Sequence, residues 1–309
     1  MRPILTSVGS FPPLADSPED GIFQAVDLQR RHGLELLTDG EQRGDMLSMY
    51  SALPGIRLEG GIPRIVGRVR PLEDPSEFMK IRDLDTLRRA FPDVRFKVSL
   101  TGPTTFVFAC ASSGAGPAYR GATDPALHDD LTEAICPIAR EVSRRNVELQ
   151  LDDPILSQGM RDYGPALKRI DRITGEVPRE KASLHVCGSL TRGKVLEALL
   201  RLENVSTLSL AFAGRMERQN VALLNVRAWE DRDVFLGAGC VPVQVARPEE
   251  LAASDVIASL LRSIGDRVGM DRIRYVLPDC GLRATPAEFI SPILESMRRA
   301  FKQVFPDDG

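Results

Sequence analysis

The chain has 309 residues, 43% of them hydrophobic and 27% charged, with a formal net charge of -3. That length suffices for a full core, no apolar run approaches a membrane span, and the charge balance gives no global electrostatic case for nucleic acid, so neither a membrane nor a nucleic acid is expected as a partner. Five scattered cysteines, an odd count, argue against a disulfide framework and for a reducing compartment.

The N-terminus passes straight into Ile4-Leu5-Thr6-Ser7-Val8 without a signal-type stretch, which reads as mature structure and a cytoplasmic protein. Short β-type runs follow at 3–8, 34–38, 95–100, 147–151, 182–186, 206–210, 234–237 and 273–277. Most are continuous apolar runs rather than alternations, as in strands buried on both faces. Amphipathic stretches at 19–31, 125–145, 190–202, 248–268 and 286–301 predict helices between them. Asp124-Pro125 predicts an N-cap followed by a first-turn proline, and Thr285-Pro286 repeats the device. Strand–helix alternation repeated about eight times predicts an α/β fold, a closed (β/α)8 TIM barrel, with residues 1–309 forming a single catalytic domain. Between the second and third strands, 56–70 predicts a β-hairpin turning at Gly60-Gly61. Arg68 and Arg70 fall on one face of it, where charge protects an exposed edge.

Barrel enzymes carry their chemistry at the C-terminal ends of the strands. Those ends read Gly9-Ser10, Asp39-Gly40-Glu41, Thr101-Gly102-Pro103, Asp152-Asp153-Pro154, His185 with Cys187, Ser209, Cys240 and Asp279-Cys280-Gly281. Residues two apart on a strand share a face, so His185 and Cys187 point together. Cys280 ends the last strand and reaches the same cavity if the barrel closes. One imidazole and two thiolates suit zinc, with a coordination position left for substrate. Glu41 and Asp152 stand at equivalent depths and suit a ligand ammonium group. Ser10 and the Gly9 backbone suit a carboxylate.

These motifs resemble the cobalamin-independent methionine synthase family, specifically its catalytic C-terminal barrel as found in short single-barrel members of the uroporphyrinogen decarboxylase/methionine synthase superfamily. The resemblance rests on Thr6-Ser-Val-Gly-Ser-Phe-Pro12, Asp39-Gly-Glu-Gln-Arg-Gly-Asp-Met46, Leu100-Thr-Gly-Pro103, Leu149-Gln-Leu-Asp-Asp-Pro154, His185-Val-Cys187 and Pro278-Asp-Cys-Gly-Leu282. It implies a methyltransferase that moves a methyl group to homocysteine sulfur, giving methionine. His185, Cys187 and Cys280 would be zinc ligands, and Val8, Ser10, Glu41 and Asp152 would hold the amino acid. Glu41 and Asp152 are accordingly the expected catalytic carboxylates. The implied donor is a methylcorrinoid, a corrinoid protein or methylfolate. Ser209 stands where the family has a glutamate ligand, so either water or Cys240 completes the site. Ala109 replaces a folate-stacking tryptophan, Gln244 a histidine and Asp153 a glutamate. Alternatives are transfer to another small thiol such as coenzyme M, a metal-free decarboxylase, and a non-catalytic metal- or corrinoid-binding relative.

Overall fold

Parallel strands alternate with helices along the chain in a computed structural model that describes residues 2–306 apart from 112, 113 and 216. The strands are β1 (Ile4–Leu5), β2 (Leu36–Leu37), β5 (Arg95–Thr101), β6 (Glu148–Asp152), β7 (Ala182–Val186), β8 (Thr207–Ala211), β9 (Phe235–Val241) and β10 (Ile273–Pro278). They pair in the order β1-β10-β9-β8-β7-β6-β5-β2, and a parallel bridge from Thr6 to Leu36 closes the ring. The result is the expected (β/α)8 barrel. The first two strands are shorter than the sequence predicts. The Thr6 hydroxyl itself donates to the Leu36 carbonyl at 2.6 Å, so a side chain replaces a ladder bond where the ring closes.

Helix α4 (Pro125–Arg144) shows how the outer layer forms. Asp124 caps its N-terminus by accepting from the Ala126 amide, Pro125 opens its first turn, and Leu127, Leu131, Ile135, Ile138 and Val142 line its buried face. Each such side chain is worth roughly 1.5–3 kcal/mol on burial. Thr285 does not cap α9 (Ala287–Val304). Its hydroxyl donates instead to the Val243 carbonyl at 2.8 Å. The helix expected at 190–202 contracts to α6 (Val195–Leu199), because positive φ at Gly193 and Lys194 breaks its first turn. The stretch expected at 248–268 becomes a short 3-10 turn followed by α8 (Ser254–Val268).

The hairpin is present as β3 (Ile56–Glu59) and β4 (Ile62–Ile65), turning through Gly60 and Gly61 at φ 58° and 81°. It ends before Arg68, which leaves the strand and ion-pairs with Asp130 at 2.9 Å. The expected arginine face is therefore absent.

The barrel interior is divided. Val8, Leu36, Tyr275 and Leu277 form a small apolar plug distinct from the main core between strands and helices. On the opposite side, β5 and β6 turn polar residues inward: Lys97 and Ser99, then Glu148, Gln150 and Asp152 at every second position. Among the described residues no helix is long and apolar enough to cross a membrane.

Candidate metal centre and amino-acid pocket

The end of β7 holds His185, and Cys187 follows two residues later; Cys280 stands just beyond β10. β8 and β9 separate these strands in the ring, and its curvature brings the three side chains together. One nitrogen and two sulfurs lie within 4.8 Å of one another. His185 Nδ1 contacts Ser209 Oγ at 3.0 Å, and Ser209 is its in-register neighbour on β8. The other ring nitrogen, Nε2, is buried without a hydrogen-bond partner. The Cys187 thiol hydrogen-bonds to Cys280, which together with the adjacent imidazole pulls the Cys280 thiol well below its ordinary value. Donating that bond, and burial, push Cys187 up. An orphaned imidazole nitrogen facing two polarised thiols is a donor set that fits zinc.

Cys240 does not join this group. It lies in the main apolar core, and burial pushes its thiol up to about 12. Ser209, where the family resemblance suggests a ligand, touches the imidazole instead. A hydroxyl bound to Nδ1 leaves Nε2 as the free nitrogen, the usual outer-shell support for a metal-binding histidine.

Glu41 and Asp152 are both buried. Glu41 follows Gly40 in a left-handed turn, at φ 54° after φ 71°. Gly40 is required there because an added Cβ would meet the Ala25 Cβ at 2.5 Å. Burial pushes the Glu41 carboxyl up to about 7, against the pull of Lys80. Lys80, from α2 (Met79–Ala90), is itself buried, with Nζ 3.0 Å from Asp39 Oδ1 and 3.8 Å from Glu41 Oε1. Burial also raises Asp152, to about 6, opposed by His185, Gln150 and Lys97. Asp152 and His185 are in-register neighbours, so the carboxylate edge adjoins the thiol cluster. Asp153 turns away and accepts from the Thr105 amide at 2.7 Å, anchoring the start of α3 (Pro103–Ala111).

Val8 and Ser10 sit in the loop after β1. The Val8 carbonyl accepts from Gln150 Nε2 at 2.7 Å and Ser99 Oγ at 3.3 Å. The Ser10 carbonyl accepts from the Leu282 amide at 2.8 Å, which ties this loop to the one bearing Cys280. A Cβ on Gly281 would lie 2.1 Å from Ser10 Oγ, so a side chain there would displace the Ser10 hydroxyl.

A cavity of about 810 Å³ opens beside the thiols, lined in part by Cys187, Cys280, Ala109, Gln244 and Asp279. No aromatic side chain is among the described residues that line it. Asp279 Oδ1 is buried without a partner, and burial, then Cys280 and Glu217, push its carboxyl up to about 7. Sequence reasoning did not single out Lys80, Lys97 or Gln150, and it placed Asp279 at a strand end without a role. Alternation in Glu148-Leu-Gln-Leu-Asp152 is the signal that could have found Gln150.

Comparisons with known proteins agree with this fold. The family model described as "Cobalamin-independent synthase, Catalytic domain" matches residues 14–303. A methionine synthase of Methanothermobacter marburgensis is 30% identical over 96% of this chain and 98% of its own length. One from Methanocaldococcus jannaschii is 28% identical over 94% of this chain and 91% of its own. The structure of a B12-independent methionine synthase from a Shewanella species, in complex with selenomethionine, superposes with a TM-score of 0.79 at 16% identity, covering 98% of both chains. At that identity the likeness concerns the fold.

Proposed function

The chain belongs to the cobalamin-independent synthase catalytic-domain family, and from that premise we propose that this methyltransferase methylates homocysteine sulfur at a zinc site held by His185, Cys187 and Cys280. The carrying observation is that one imidazole nitrogen and two sulfurs converge within 4.8 Å from two strands, separated by β8 and β9, that the curvature of the barrel brings together. Bound zinc supplies a thiolate at neutral pH, since a coordinated thiol loses the proton that a free one keeps up to about 8.5.

The chain's own residues do the rest. Asp152, in register with His185, and Glu41, within electrostatic reach of Asp152, present carboxylates for the amino group of the acceptor. The Gly9-Ser10 turn receives its carboxylate through backbone amides. These two features favour homocysteine over coenzyme M, which has no ammonium group and would bring a sulfonate toward two carboxylates. The barrel wall excludes water and aligns the acceptor sulfur with the cavity, where the methyl donor enters. The described residues of that cavity offer no ring to stack on a pterin, which favours a corrinoid-borne methyl over methylfolate.

The test is a methyl-transfer assay on zinc-loaded protein, with homocysteine or coenzyme M as acceptor and methylcobalamin or methylfolate as donor. Methionine forms from homocysteine and methylcobalamin, and Cys280→Ala abolishes it. Undiminished activity in Cys280→Ala, or transfer to coenzyme M alone, overturns the reading.

A further inference from the structure

The polar half of the barrel interior contains a group that the proposed chemistry leaves unused. Lys97, on β5, is 3% exposed and lies deep inside the ring. Its Nζ donates to Gln150 Oε1 at 2.6 Å and stands 5.9 Å from the centroid of the Tyr275 ring. Among the described residues it forms no ion pair with Glu148 or Asp152, although both carboxylates influence it. Gln150, 1% exposed, is bonded at both ends of its amide. Its Nε2 donates to the Val8 carbonyl and to Asp152 Oδ1, each at 2.7 Å.

This pattern has one consistent orientation. The Val8 carbonyl and the Asp152 carboxylate are acceptors, so they require the NH2 end of the amide. A lysine ammonium only donates, so it requires the oxygen end. A flipped amide would set oxygen against carbonyl and carboxylate, and NH2 against ammonium. Lys97 thus anchors the oxygen end of the amide in the orientation that Val8 and Asp152 require, and Gln150 holds two groups of the amino-acid pocket. If only volume mattered, methionine would fill the place of Lys97 without the penalty of burying a charge.

We propose that Lys97 is a positioning residue for the acceptor's amino group, acting through the Gln150 amide, which sets Asp152 and the Val8 carbonyl. This rests on the reading that these groups receive the homocysteine ammonium. Lys97 reaches the pocket through the Gln150 amide and does not join the thiol cluster, so its effect is on acceptor affinity.

The experiment measures methyl transfer by zinc-loaded protein at varied homocysteine, with a parallel series on 4-mercaptobutanoate, the same thiol acid without the amino group. Lys97→Met and Gln150→Leu each raise the homocysteine KM roughly tenfold or more, the scale of a hydrogen bond to a charged group. Both leave kcat within about twofold, zinc content unchanged and the KM for 4-mercaptobutanoate unmoved. The double variant is no worse than Gln150→Leu alone, because Lys97 acts through the amide. Gln150→Glu retains a partner for Lys97 but opposes Val8 and Asp152 with oxygen, and raises the homocysteine KM by a similar factor; it carries the test if Lys97→Met does not fold. Active wild type with an unchanged KM in the variants, equal losses on both thiols, or additive effects in the double variant overturn the inference alone. A wild type inactive on homocysteine overturns the functional reading and the inference with it.

Discussion

Replacing Glu41 with glutamine separates function from stability. Burial holds the Glu41 carboxyl at about 7, from an ordinary 4.5. The native state therefore binds this proton more tightly than the unfolded chain, and stability falls as pH rises between those values. At about 1.4 kcal/mol per pH unit, the raised Glu41 carboxyl lowers stability by about 3 kcal/mol at pH 8, where it is ionised in the native state, and by about 1 kcal/mol at pH 5, where only the unfolded chain ionises it. Glutamine has the same shape without the charge, and Lys80 keeps Asp39 at 3.0 Å as its partner. Glu41→Gln should accordingly raise stability by about 3 kcal/mol at pH 8, or about 5 °C in Tm for a chain of this size. The gain should shrink to about 1 kcal/mol at pH 5, while the homocysteine KM rises. Urea unfolding at the two pH values, beside steady-state kinetics, reads all three effects. A variant less stable than wild type at pH 8, or a gain independent of pH, would refute the idea that this carboxylate is held ionised against its own burial.

Two further perturbations test its neighbours. Lys80→Met leaves Asp39 and Glu41 without their buried cation and should cost about 3–5 kcal/mol in denaturant unfolding at pH 8; a loss below about 1 kcal/mol contradicts the pairing. Ser209→Ala removes the contact on His185 Nδ1 and should weaken zinc affinity roughly 10–100-fold in chelator competition, without abolishing binding. Complete loss of the metal would make Ser209 a ligand, and no change would deprive it of a role.

The thiol cluster was legible because its residue types are scarce. His185 and Cys187 are spaced for one face of a strand, and Cys280 ends the last apolar run, so closure alone had to be added. The carboxylates were legible for a similar reason: Glu41 and Asp152 follow buried runs at equivalent depth. Their counter-charges were not. Lys80 lies on a helix 39 residues beyond Glu41, and nothing local to Met79-Lys-Ile-Arg82 marks it as buried. Gln150 and Lys97 were hidden by reading β5 and β6 as continuous apolar runs, although their alternate positions are polar and face the interior. Cys240 shows the converse limit, since a soft ligand one register position from the interior packs among apolar side chains instead. Helix ends also depended on the surroundings: Thr285 had the residue type of a cap, but the Val243 carbonyl took its hydroxyl.

X-ray absorption at the zinc edge, on the loaded protein before and after adding homocysteine, addresses the proposed centre itself. His185, Cys187 and Cys280 should give one nitrogen and two sulfur scatterers, completed by oxygen, and homocysteine should raise the sulfur count to three with loss of the oxygen. A sulfur count that stays at two when homocysteine is saturating would contradict acceptor activation at this site.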